Sequence, residues 1–268
     1  MTISFDHKKC VKCGLCIADC ITGVIQPASE DGLPFVANEK DCLHCQHCFA
    51  ICPQGAISFN GVTPDESLNI GETASAESLE NLMKSRRSVR KYEDREIPWE
   101  VLQRLASTIA YTPTGCNDHR LKLIFVTGQK AEEFRQATNN ILVKIMHSPL
   151  ALLIPRRYKR FFKLIEQGED VIFRGAPAFI VAAVHKKSPC KTEDPIIALT
   201  WFELLANSLG LGCCWCGFAQ RALKKFSSLR KLLDLDKNYQ IGSVILFGYP
   251  KVKYRRYTKP ENFETTIL

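Results

Sequence analysis

CVKCGLCIADC at residues 10–20 and CLHCQHCFAICP at residues 42–53 carry the decisive pattern of this chain. The first run spaces its cysteines as Cys10-x2-Cys13-x2-Cys16-x3-Cys20, and the second repeats this as Cys42-x2-Cys45-x2-Cys48-x3-Cys52, followed by Pro53. An offset of 32 residues relates all four pairs. It also extends past them, because Cys20-Ile-Thr-Gly-Val-Ile25 superposes on Cys52-Pro-Gln-Gly-Ala-Ile57. The segment is an internal duplication. Eight of the chain's 13 cysteines lie in these two runs, and the other five are scattered between Cys116 and Cys216.

A disulfide framework is one account of so many cysteines, but it belongs to secreted proteins. The N-terminal MTISFDHKK has no apolar core or small-residue cleavage site of a signal peptide. No run of 18 apolar residues occurs, since Lys144 and His147 interrupt the stretch around Ile141–Ile154. The reading therefore expects a cytoplasmic protein with no membrane segment, in which thiols stay reduced and ligate metal. Zinc explains paired C-x2-C units, but neither the third cysteine of each triplet nor the duplication.

The runs resemble the two-cluster bacterial ferredoxin family over residues 1–60. In that pattern three cysteines hold one 4Fe–4S cluster and the fourth ligates the other. The resemblance implies that Cys10, Cys13, Cys16 and Cys52 hold one cluster, and Cys42, Cys45, Cys48 and Cys20 the second. It also implies that each fourth cysteine opens a short helix after its loop. Ile21 stands where the family usually has Pro, which removes a rigid turn and no ligand.

Length and charge frame the rest. With 268 residues, 46% hydrophobic and 24% charged, the chain has room for a small module and a medium domain. Residues 1–60 hold four Lys against six Asp/Glu, about −2, so the remainder carries about +10 of the net +8. The basic residues are spread over KSRRSVRK, PRRYKRFFK, RALKKF and KVKYRRYTK without a nucleic-acid motif, so no nucleic-acid partner is expected. An anionic cofactor, an acidic electron carrier or a solvated surface accounts for them.

Residues 61–77, GVTPDESLNIGETASAE, are polar and aperiodic and read as a linker. Helical periodicity begins near Ser78, with Leu79, Leu82 and Met83 on one face. Ser85-Arg86-Arg87-Ser88-Val89-Arg90-Lys91-Tyr92 follows. Such a charge run suits a solvated helix end, and equally a phosphate, which guanidinium forks grip bidentately. Residues 78–268 are expected to form the second domain.

The segment resembles the Arg-Arg-Ser-x-Arg-x-aromatic signature of the nitroreductase family, and further matches follow in that family's order. Thr112-Pro113-Thr114-Gly115-Cys116-Asn117 is similar to its turn, entered from a helix over Pro98–Ala110 and followed by a strand over Leu121–Val126. Gly175-Ala176-Pro177 precedes a strand over Ala178–Val184. Leu209–Gly217 is similar to its Leu-Gly-Leu-Gly-x-x-Trp-x-Gly stretch after a helix over Pro195–Leu209. Ile245–Pro250 ends the last strand before a basic tail.

The resemblance implies an α+β fold, a mixed sheet flanked by helices, and a homodimer with FMN at its interface. Arg86, Ser88 and a tail arginine, Arg256 preferred to Arg255, would hold the phosphate, and Arg87 would also belong to the FMN site. Arg90 would lie by the flavin N1/O2 edge, and Trp215 would be among the FMN-binding residues. The N–H of Cys216 or Gly217 would face N5, and Pro113, Thr114 and Asn117 would reach over from the partner. His119 stands where many members have Gln, and Cys213, Cys214 and Cys216 replace small or aliphatic residues. No G-x-G-x-x-G follows a strand, so no Rossmann domain is expected, although the family binds NAD(P)H without one.

The function this implies is an FMN oxidoreductase with no catalytic side chain, fed through two 4Fe–4S clusters. The donor would be ferredoxin, flavodoxin or NAD(P)H, and the acceptor a small organic molecule such as a nitroaromatic or quinone. The rival readings are a reductase or dehalogenase of another substrate on the same fold, and a non-catalytic redox sensor or electron carrier.

Overall fold

A computed structural model describes residues 2–67, 69–149, 159–259 and 264–268. The apolar stretch around Ile141–Ile154 and the basic run PRRYKRFFK fall partly outside the described residues. The chain divides into two compact units, Met1–Thr73 and Ala74–Leu268.

The first unit repeats itself as its sequence does. Strand β1 (Ile3–Phe5) leads into the first cysteine loop and helix α1 (Leu15–Ala18), then strand β2 (Ile25–Pro27). Strand β3 (Pro34–Val36), helix α2 (His47–Ile51) and strand β4 (Ile57–Phe59) form the second half. The strands pair crosswise and antiparallel, β1 with β4 and β2 with β3. Equivalent backbone bonds close the two halves, Asp6 N–H to Ala56 O at 2.7 Å and Ala37 N–H to Val24 O at 2.8 Å. Left-handed backbone recurs at Lys12 and His44, Gly14 and Gln46, Gly23 and Gly55. These are the tight points where each loop folds back. The short helices contain Cys16 and Cys48 and end before Cys20 and Cys52. The expectation that the fourth cysteine opens a helix is thus corrected: it follows one, and Cys52 caps α2 at its C-terminal end. The apolar centre is small, Val24, Ile25 and Ile57 with Cys16 and Cys48.

The second unit is a four-stranded sheet in the order β5-β6-β8-β7, from β5 (Leu121–Thr127), β6 (Ala178–His185), β7 (Gly212–Trp215) and β8 (Tyr239–Gly248). These strands pair antiparallel throughout. Among the described residues the mixed character expected from sequence is confined to one parallel bridge, Ser88 with Cys213. Both faces are covered, which explains the nearly unbroken apolar runs of β6 and β8. Ala178, Ile180, Ile245, Phe247 and Cys213 face helices α4 (Trp99–Ile109) and α7 (Glu193–Ser208). Phe179, Val181, Val244, Leu246 and Cys214 face the opposite way, toward α5 (Gly128–Met146), α8 (Gly217–Lys225) and α9 (Ser227–Leu232). Helices α3 (Ala76–Ser85) and α6 (Lys159–Glu166) complete the described α-helices. Among the described residues no helix is long and apolar enough to cross a membrane.

Candidate functional site

In the first unit the crossed strand pairing determines which cysteines meet. Because β1 pairs with β4, Cys52 is delivered beside the loop that follows β1. Cys10, Cys13, Cys16 and Cys52 line one small cavity, together with Phe5, Ile17 and Ile57. Because β2 pairs with β3, Cys20 is delivered beside the second loop. Cys42, Cys45, Cys48 and Cys20 line another small cavity, with Ile3, Val24 and Phe59. Exposure follows one order in both runs: first cysteine intermediate, second exposed, third buried, fourth intermediate. Among the described residues no three His, Cys, Asp or Glu side chains converge tightly enough to share one ion. Four thiols line each cavity, the number of ligands that a 4Fe–4S cluster takes.

Backbone amides point at these sulfurs. His44 N–H lies 3.4 Å from Cys42 Sγ, and Ala56 N–H 3.3 Å from Cys52 Sγ. Burial pushes the Cys48 thiol up to about 11 and raises Cys16 also. Burial likewise opposes ionisation of Cys20, but the N–H of Ile25, the Thr22 hydroxyl and further amides outweigh it and hold that thiol below its usual value. The cavity linings, the donor set and these N–H groups fit iron–sulfur clusters.

In the second unit residues 86–93 run along the end of the sheet. Val89 N–H donates to Cys213 O at 2.8 Å, and Ser88 bridges Cys213. Glu93 N–H donates to Tyr249 O, and Lys251 N–H to Lys91 O. Burial raises the Tyr92 phenol, whose hydroxyl donates to Val89 O. Gly212 gives the room this needs, since a Cβ there would stand 2.5 Å from Val89 Cγ2. The signature segment is therefore fixed against β7 before any side chain is considered.

Its side chains then divide. Arg86 Nη1 donates to Glu203 Oε1 at 2.9 Å, and the other oxygen of Glu203 accepts Trp215 Nε1–H at 3.0 Å. Arg87 donates to the carbonyls of Lys84 and Arg86 and to Thr258 Oγ1. Tyr257 donates to Asn81 Oδ1. These last contacts draw the exposed tail, with Arg255 and Arg256, back to the end of α3. Arg90 is exposed and lies against Cys214.

The N–H of Cys216 donates to Val244 O at 2.9 Å. Of the two amides expected to face a ring nitrogen, Cys216 is therefore engaged within the sheet. Gly217, the first residue of α8, keeps an N–H that the helix ladder does not use.

Arg86 and Trp215 are thus brought to one carboxylate, Ser88 to the neighbouring Cys213, and the tail to Arg87, while Arg90 lies beside Cys214, which faces the other side of the sheet. Pro113, Thr114 and Asn117 are apart from these. Their turn is held at the start of α7, where Gly115 N–H donates to Asp194 Oδ1 at 3.0 Å. That lies nine residues from Glu203, roughly 13 Å along the helix axis. His119 is exposed between Asp118 and Arg120, where the Arg120 guanidinium holds the Asp118 carboxyl down to about 2.

Glu203 and Asp194 escaped the sequence reading, although both fall on the buried stripe Pro195, Ala198, Leu199, Phe202, Ala206 of α7. A carboxylate inside such a stripe was the signal.

Residues 83–249 match the model of the nitroreductase family. The chain belongs to the nitroreductase family. It is an oxidoreductase, and its residues 9–57 match a second model, the 4Fe-4S dicluster domain. A Methanothermobacter thermautotrophicus protein named NADH dehydrogenase/NAD(P)H nitroreductase is 25% identical over 180 residues, 67% of this chain and 81% of that protein. Two solved structures share the fold. A nitroreductase with bound FMN from Desulfitobacterium hafniense DCB-2 superposes with a TM-score of 0.56 at 21% identity, covering 70% of this chain and 97% of its own. The FMN-dependent nitroreductase of Mycobacterium smegmatis in complex with NADPH superposes at 0.55 and 18%, covering 71% and 99%.

Proposed function

We propose that this nitroreductase-family chain is an FMN-dependent, homodimeric cytoplasmic enzyme that reduces a small organic acceptor, such as a nitroaromatic or quinone. Its first unit holds two 4Fe–4S clusters that carry electrons in from a low-potential donor. The observation that carries this reading is the sorting of eight cysteines into two cavities of four, on the same chain as a nitroreductase domain. When bound, the clusters supply one-electron transfer and FMN supplies two-electron reduction; the protein's part is binding and tuning.

The residues have separate parts in it. Arg86, Ser88 and a tail arginine, Arg256 before Arg255, hold the phosphate, and Arg87 secures the tail through Thr258. Arg90 supplies positive charge where the reduced ring is anionic. Gly217 donates its amide to the ring edge beside Trp215. Pro113, Thr114 and Asn117 serve the partner's site, consistent with their attachment at the far end of α7. The complex of the Mycobacterium smegmatis relative with NADPH supports a nicotinamide donor; ferredoxin or flavodoxin is the other donor of this reading.

Anaerobically isolated protein is expected to contain about eight iron and eight sulfide per chain and one FMN. Metal analysis and acid-released flavin check this. Zinc in place of iron, or absence of flavin, contradicts it.

A further inference from the structure

One carboxylate joins two motifs that lie 129 residues apart in the chain, at Arg86 and Trp215. Glu203 sits on the buried stripe of α7, its side chain 7% exposed, while the Arg86 side chain that it pairs with is 36% exposed. The inner end of the ion pair is therefore walled in, and the outer end remains open to a ligand. Each Glu203 oxygen takes one donor, Arg86 Nη1 at 2.9 Å and Trp215 Nε1 at 3.0 Å.

Arg86 has left its helix by this point. It is the C-cap residue of α3, with its own N–H spent on Leu82 O. A long side chain at a helix end has many rotamers of similar energy, so its direction comes from Glu203. Trp215, at the last position of β7, is held from the same carboxylate. Buried Cys213 stands next to both, its thiol raised by burial and by the Glu203 charge; it offers neither a competing charge nor a donor of comparable strength.

We propose that Glu203 is a positioning residue for flavin binding: with its two oxygens it aims Arg86 at the phosphate and fixes Trp215 at the ring edge. This rests on the reading that Arg86 holds the phosphate of FMN. Buried carboxylates are normally neutralised by one close cation; here the second oxygen is used to link a third element to the pair. A glutamine in its place has a single acceptor oxygen, so one of the two donors must face an NH2 group. Aspartate keeps both acceptors and the charge but falls short by one methylene.

The test compares FMN with riboflavin, which lacks the phosphate, by fluorescence titration of the flavin-free full chain. In E203Q the ratio of FMN affinity to riboflavin affinity is expected to fall at least tenfold, and in E203D by less. In R86A the ratio should also fall, and E203Q added to R86A should lower it no further, because the two act through one contact. A purely structural role for Glu203 would weaken both flavins together and leave the ratio unchanged.

An unchanged ratio in both E203Q and E203D overturns the proposal, as does a fall that is undiminished in the R86A background. If R86A alone leaves the ratio at the parent value, the phosphate reading itself fails, and the proposal with it. E203D retains the buried negative charge and keeps the comparison available if E203Q does not fold.

Discussion

Cys213, Cys214 and Cys216 cluster at the end of β7, and their surroundings decide what they do. All three are buried. Burial raises Cys213 well above the usual thiol range, and it raises Cys214 although Arg90 and Arg174 pull the other way. Burial takes Cys216 to about 11, so at pH 7.5 roughly one molecule in three thousand carries that thiolate. Reactive cysteines have lowered values; these three fill space as small apolar side chains. A raised folded value favours the neutral thiol, so the contribution of Cys216 to stability is complete below about pH 9, where the unfolded thiol is also neutral. It is lost as pH rises through about 11. Thermal melts of the parent are therefore expected to drop across that window more steeply than those of Cys216→Ala, and parallel curves would contradict the assignment. The cysteine spacings were readable from the chain alone, whereas Glu203 was not singled out. One acidic residue in TWFELLANS looks like a solvated position until the stripe through Ala198, Leu199, Phe202 and Ala206 is drawn.

At the scale of elements, β6, the end of β8 and the helices α4 and α7 were legible through the family resemblance, and each buries a continuous apolar surface. Ala178–Val184 and Pro98–Ala110 fall within a residue of the observed β6 and α4. Helix α5 and the short strands of the first unit were not. In three-residue strands alternation has no length in which to show, and α5 is only weakly amphipathic over GQKAEEFRQATNN. The order of helix and fourth cysteine was misread for a similar reason: four or five residues are too few for a periodic signal, and left-handed Gly14 and Gln46 fix where each helix starts. The site depends on one close approach between elements. A Cβ on Gly212 would meet both methyl groups and the Cβ of Val89 within 2.9 Å. Gly212→Ala should therefore push the signature segment off β7. The expected loss is about 1–3 kcal/mol in urea unfolding, with faster FMN release. A stable variant that holds FMN normally would show that this contact does not support the site.

At the scale of the molecule, helix α7 carries apolar side chains on both sides. Its inner face is core, and its outer face presents Ile196, Ile197 and Trp201, which are 44%, 36% and 42% exposed. Among ordinary surface helices the outer face is polar, so this stripe is where the second copy of the proposed dimer would pack. The double change Ile197→Asp, Trp201→Lys is expected to give a monomer by sedimentation with weakened FMN, since the Pro113–Asn117 turn would then be lost from the partner. A dimer of undiminished flavin content would contradict that arrangement. The central claim is that electrons enter through the cysteine-rich unit, and steady-state turnover with reduced ferredoxin as donor tests it most directly. Cys13→Ser and Cys45→Ser each alter one cavity of the first unit and leave the second unit's sequence untouched. Both variants are predicted to lose ferredoxin-dependent turnover while keeping the flavin content of the parent. Rates equal to the parent's would place the clusters off the electron path and contradict the account.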